Sequence, residues 1–210
     1  MVSFPTAGAT VVINVVASFR RKYPGVEIHL TEAEPEISIP QLRSGEHDLA
    51  LVYDYDYMPL AKDRDVEAHL LLEERMQLAL PKGHRLAGHK KVRLTDLSDE
   101  SWIVGTDSSA CRDNAVMACR RAGFEPRIGF ESDDYQVIQA LVSADMGISL
   151  VPELLLTGRR AGVAVLDIEP DAPVRRVWAF TRPEPSRGPA TAAMLDVLKR
   201  ESERFAKSRH

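Results

Sequence analysis

Two stretches set one hundred residues apart follow the same plan, and this repeat constrains the fold more than any single motif does. "FRRKYPGVEIHL" begins at Phe19 and "CRRAGFEPRIGF" at Cys119, so that Ile28 answers to Ile128 and Leu30 to Phe130. "QLRSGEHDLALV" from Gln41 and "ALVSADMGISLV" from Ala140 match at an offset of ninety-nine. In both halves a short strand is followed by a helix, a strand, a helix and a buried strand. That order builds an α/β unit with right-handed crossovers. Repeated within 210 residues, it predicts two Rossmann-like lobes, each large enough for a core.

The elements follow from spacing. Val2 to Phe4 reads as a strand, and Ala9 to Lys22 as a helix stopped at Pro24 and Gly25, although its β-branched residues leave strand as a competing reading. Val12, Val16 and Phe19 supply one apolar stripe, while Val11, Ile13 and Val15 lie beside or beyond it, so this helix is expected to be covered on more than one side. "VEIHLTEA" alternates like a strand, Ile37 to Ser44 is a short helix ended by Gly45, and "DLALVY" is a continuous apolar run suited to a buried parallel strand. Further on, strands are expected over 71–81, 102–105, 127–132 and 147–152, with helices over 109–122 and 134–144. The strand ending at Pro81 can carry the chain to the second lobe. "VRRVWAFTRP" can bring it back, and the helix over 190–206 then packs on the first lobe. The expected division is 1–80 plus 184–210 for lobe I and 81–183 for lobe II, joined by two crossing strands.

Composition excludes several functions. A net charge of -4 makes the general surface a poor partner for phosphates. No apolar stretch reaches the roughly 18 residues of a membrane span, and no signal peptide is visible, so a cytoplasmic location without membrane contact is expected. Cys111 and Cys119 suit neither a disulfide framework nor a zinc site. The six histidines, at positions 29, 47, 69, 84, 89 and 210, are scattered, and no nucleophile elbow, P-loop or dinucleotide fingerprint occurs. No catalytic residue, metal or cofactor is therefore expected.

Ligands of open α/β sheets bind beyond the carboxyl ends of strands. The turns after Phe4, Tyr53, Gly105, Glu131 and Val151 are expected to line a cleft between the lobes, with "SFPTAGAT" and "GTDSSA" as two opposed strand-to-helix turns. A helix N-terminus offers N–H groups to an anion. The candidate binding residues are Pro5, Thr6, Ala7, Tyr53, Asp54, Thr106, Ser108, Ser109, Ser132 and Asp133. Each carries a plainer alternative. Ser108 or Ser109 can cap the helix from 109, and Asp133 or Asp134 the helix that follows. The run Tyr53 to Tyr57 either faces the cleft or forms a solvent-facing loop.

Several stretches, in order, resemble the effector-binding domain of LysR-type transcriptional regulators: "VSFPTAGA", "FRRKYPGVEIHLTEAEP", "LRSGEHDLALVY", "PKGHRLA" with "VRLTDLSDESWI", "CRRAGFEPRIGFESDD" and "ALVSADMGISLVPE". The resemblance implies the type 2 periplasmic-binding-protein fold and a small-molecule effector. It also implies DNA contact only through an N-terminal winged helix-turn-helix that these residues do not contain, and assembly as a homodimer or tetramer. The surplus apolar surface of helix 9–22 agrees with a dimer. Helix 109–122 is its counterpart, and Val11, Val15, Phe19, Ala115 and Cys119 are the expected interface. A transporter's solute-binding protein of the same fold is the alternative, and an enzyme on the two-lobed scaffold the third reading.

Overall fold

The chain enters through β1 (Val2–Ser3) and turns directly into helix at Pro5. The structure, a computed structural model, describes residues 1–61, 64–107 and 109–207. Helix α1 (Pro5–Ala7) starts on a proline, whose fixed φ and missing N–H suit a first turn. A five-residue π-helical stretch, Gly8–Val12, joins it to α2 (Ile13–Lys22). The helical run thus begins four residues earlier than expected. Its widened turn is braced by Thr10, whose hydroxyl donates to the carbonyl of Thr6 at 2.7 Å.

The elements after it are β2 (Thr31–Glu32), α3 (Pro35–Ser44), β3 (Leu49–Tyr55) and the long β4 (Glu67–Pro81). Helix α3 stops at Gly45, which takes φ +82°, a left-handed conformation that suits glycine. Then come β5 (Lys91–Val92), β6 (Ser101–Val104), α4 (Ala110–Arg121), β7 (Arg127–Glu131), α5 (Tyr135–Ser143), β8 (Ser149–Pro152) and β9 (Val163–Ile168). Strand β10 (Val174–Thr181) and helix α6 (Pro189–Lys207) complete the chain's regular structure.

Two compact units divide these elements: Met1–Asp54, Leu60–Glu73 and Arg176–His210 in the first, Tyr55–Pro59 and Glu74–Arg175 in the second. Both long strands change unit within their own length, β4 after Glu73 and β10 after Arg175, rather than at the strand ends. In the first unit β1 lies between β2 and β3, parallel to both, and the order continues through β10 to β4. Val2, Leu42, Ala50, Val52 and Phe180 form a core, and α6 packs on α2, where Ser18 donates to Glu201 at 3.0 Å. In the second unit β4 pairs antiparallel with β8 and β9, while β6 and β7 pair in parallel. Its core holds Ala79, Ile103, Ile138, Val142, Val151 and Val163.

Two local expectations fail for identifiable reasons. The strand expected from Val26 shrinks to Thr31–Glu32, because β1 offers only Val2 and Ser3 as ladder partners; Leu30 then faces outward, 41% exposed. The expected interface residues Val11, Val15, Phe19, Ala115 and Cys119 are all buried within their own chain. Their apolar faces are already covered and cannot meet a second copy. Val15→Asp would therefore disrupt the core of the first unit rather than dissociate a dimer.

Candidate functional site

The polar turns of the second unit form a connected cluster. Gly105 ends β6 without a side chain because a Cβ there would lie 2.6 Å from the Ser109 hydroxyl and 2.9 Å from an Asp133 oxygen. That close approach lets Asp133 reach under the start of α4. The Thr106 N–H donates to Asp133 Oδ1 at 3.0 Å, and the Thr106 hydroxyl donates to Oδ2. Partial burial alone would raise the Asp133 pKa. The hydrogen bonds from Thr106 and from the Ser109 hydroxyl outweigh it and hold the carboxyl below its ordinary range.

Capping explains several of the candidates. Ser109 is the N-cap of α4 and accepts from the Cys111 N–H at 3.3 Å. Asp134, not Asp133, caps α5 through the Gln136 N–H at 2.7 Å, and Ser132 accepts from the Asp134 N–H at 3.2 Å. Thr106, Ser109, Ser132 and Asp133 are thus brought together as a preorganised hydroxyl and carboxylate patch. Ser108 lies outside the described residues. Arg112 extends the patch, paired with Asp107 at 3.0 Å and with Glu131.

In the first unit Pro5, Thr6 and Ala7 belong to a helical first turn rather than to an open loop. Pro5 is half-buried, and Thr6 and Ala7 are buried. Tyr53 and Asp54 are not part of a solvent-facing loop, because β3 continues through Tyr55 and every residue of it is buried. The Tyr53 hydroxyl donates to Glu34 at 2.9 Å, and its ring meets Phe4 edge-on. Asp54 accepts from Arg176 at 2.8 and 3.0 Å, from Trp178 Nε1 at 3.1 Å and from the Leu60 N–H at 2.9 Å. A carboxylate holding four donors is a structural anchor, and Asp54 leaves the set of ligand candidates.

A second buried charge went unnoticed in the sequence. Glu74, fully buried in the second unit, accepts from Arg175 at 2.6 and 2.7 Å and from the Leu154 N–H at 2.7 Å. Beside it, the Tyr55 and Tyr135 hydroxyls donate to Cys111 Sγ at 3.2 and 3.4 Å. Burial pushes the Cys119 thiol up to about 12, which makes it an inert core residue at neutral pH. Among the described residues, no group of three His, Cys, Asp or Glu side chains can hold a metal ion. No helix among them is long and apolar enough to cross a membrane.

Residues 1–203 match the family described as the LysR substrate binding domain. The chain belongs to this family. Among its relatives, the transcriptional dual regulator GltC of Bacillus subtilis is 32% identical over 154 residues, covering 72% of this chain and 50% of that protein. The hydrogen peroxide-inducible genes activator of Dickeya chrysanthemi is 30% identical over 190 residues, covering 88% of this chain and 60% of that one. This LysR domain therefore spans roughly half the length of the curated relatives it matches. The effector-binding domain of QuiR, solved in complex with shikimate, superposes with a TM-score of 0.82 at 25% identity and covers 97% of this chain and 95% of its own. The fold is that of LysR effector-binding domains, a periplasmic-binding-protein-like α/β architecture, and the relatives named are regulators rather than enzymes or transport receptors.

Proposed function

We propose that this LysR domain binds a small organic effector and serves as the sensing part of a cytoplasmic transcription regulator, whose DNA contact lies outside these 210 residues. The match over residues 1–203 carries the reading, and the shikimate-bound QuiR domain supports it. The Thr106–Asp133 cluster offers the chemistry of recognition: hydroxyls and a fixed carboxylate that read the polar groups of a ligand. Thr6 is the corresponding candidate in the first unit, joined by Pro5 and Ala7.

A thermal-shift screen of small organic acids tests the reading. A ligand at 100 times its dissociation constant stabilises the folded state by about 2.7 kcal/mol. With a ligand in hand, Thr6→Val should weaken binding about fivefold, the worth of one hydrogen bond, while the unliganded Tm stays near the wild-type value. Unchanged affinity would remove Thr6 from the site.

The domain is also proposed to form a homodimer, through residues other than the buried set. Each unit leaves apolar side chains uncovered on its first long helix and in the segment beyond it: Ile13 (58% exposed) and Leu30 (41%) in one, Met117 (38%) and Phe130 (39%) in the other. Leu30 and Phe130 occupy matching positions of the repeat. A symmetric dimer covers such patches at no cost to the core. Ile13→Asp should shift the sedimentation profile toward monomer without lowering the unfolding midpoint by more than about 0.5 kcal/mol, as befits a surface position. A profile identical to wild type at low concentration would exclude this face.

A further inference from the structure

A concave pocket in the second unit stands apart from the Thr106–Asp133 cluster and has a chemistry of its own. Its volume is about 300 Å³, at the small end of organic-ligand sites. Four segments meet there: Tyr57, the 93–95 turn, the last turn of α4 and the 168–171 turn. The buried side chains of Leu94, Ala118 and Ile168 supply its apolar floor.

One wall is a guanidinium laid on a ring. Arg121 sits 4.4 Å from the centroid of Tyr57, whose hydroxyl is fixed by donation to the Asp171 carbonyl at 3.3 Å. The ring face and a hydrogen bond to the Tyr57 hydroxyl hold the guanidinium in place, while its remaining N–H groups can grip a carboxylate. The other charges at the rim are differently placed. Arg93 is engaged by Asp96 at 3.0 Å, and Glu169 by Lys91 at 2.6 Å. Among the described residues Arg121 has an aromatic neighbour and no carboxylate. Asp171 and Glu169 on the rim repel a second negative charge, which favours a monoanion over a dicarboxylate or a phosphate.

We propose that this pocket is an accessory binding site for a compact aromatic or alicyclic monocarboxylate, its ring on the Leu94–Ala118–Ile168 floor and its carboxylate on Arg121. The site is independent of the effector reading above, because it shares no residue with it. The probe is 4-fluorobenzoate, titrated into the 210-residue chain labelled at alanine and isoleucine methyls, with 4-fluorobenzyl alcohol as the uncharged control. The Ala118, Ala122 and Ile168 methyl signals should move saturably with the acid and not with the alcohol. Arg121→Gln, at an exposed position, should leave the free spectrum intact and weaken the acid on the order of tenfold, as loss of a charge-assisted pair does. Three results would overturn the proposal: no movement of these three methyls, movement undiminished in the Arg121→Gln chain, or shifts confined to methyls such as Ala7 in the other unit.

Discussion

Glu74→Ala should lower the unfolding free energy by about 3–5 kcal/mol, the range found when one partner of a buried ion pair is removed. Glu74 and Arg175 are 0% and 1% exposed, so water cannot replace the missing carboxylate. Three hydrogen bonds are lost together: two from Arg175, and one from the Leu154 N–H at the start of a 3-10 turn. Burial works against the Arg175 charge, and with the Glu74 carboxylate gone nothing offsets it; an arginine guanidinium nonetheless stays protonated in proteins and cannot escape the penalty by deprotonating. Replacing both residues by methionine should recover most of the loss, since two apolar side chains leave no charge stranded. Guanidinium denaturation at constant m reads both effects. A Glu74→Ala midpoint within experimental error of wild type would show that the pair contributes no net stability.

Asp54→Ala should come next, at about 2–3 kcal/mol. The carboxylate is buried, but its partner Arg176 is 25% exposed and can turn toward water, which trims the cost below that of the first pair. The Trp178 Nε1–H and the Leu60 N–H lose their acceptor as well. This variant has a second use. As an internal anchor, Asp54 should leave effector affinity unchanged wherever the folded state remains populated. A selective loss of affinity with stability intact would return it to the binding site.

Much of the architecture was legible in letters. The repeat at an offset near one hundred and the apolar runs placed the long helices and most strands within a few residues, but not β5 or β9. The caps were legible too, since Ser109 and Asp134 stand where an N-terminus needs an acceptor. Three further features escaped, each for a physical reason. The helical spacing of 11–19 shows that many positions are apolar, but not which of them a neighbouring helix covers. Helix α6 packs on α2, and within α2 Val15 is buried while Ile13 stays outside. The Tyr53–Tyr57 run looked like a loop because charge and aromatics alternate there. In β3 the aspartate is accommodated by arginine and tryptophan from a strand more than a hundred residues away. Glu74, finally, carried a readable signal that was missed. It falls in phase with Leu72, Met76 and Leu78 on a strand whose alternate residues are buried, as Arg175 does with Val177 and Ala179.

The two consecutive arginines of β10 have a consequence beyond their bond energies. Successive side chains of a strand point to opposite faces, so Arg175 and Arg176 answer to different carboxylates, Glu74 and Asp54. A one-residue slip of this strand would carry each guanidinium to the wrong face and strand both acids. Register is loosely held where the two faces of a strand are alike, whereas the two ion pairs distinguish the faces of this one and favour a single alignment. The doublet acts as an index mark that fixes how the returning chain is threaded.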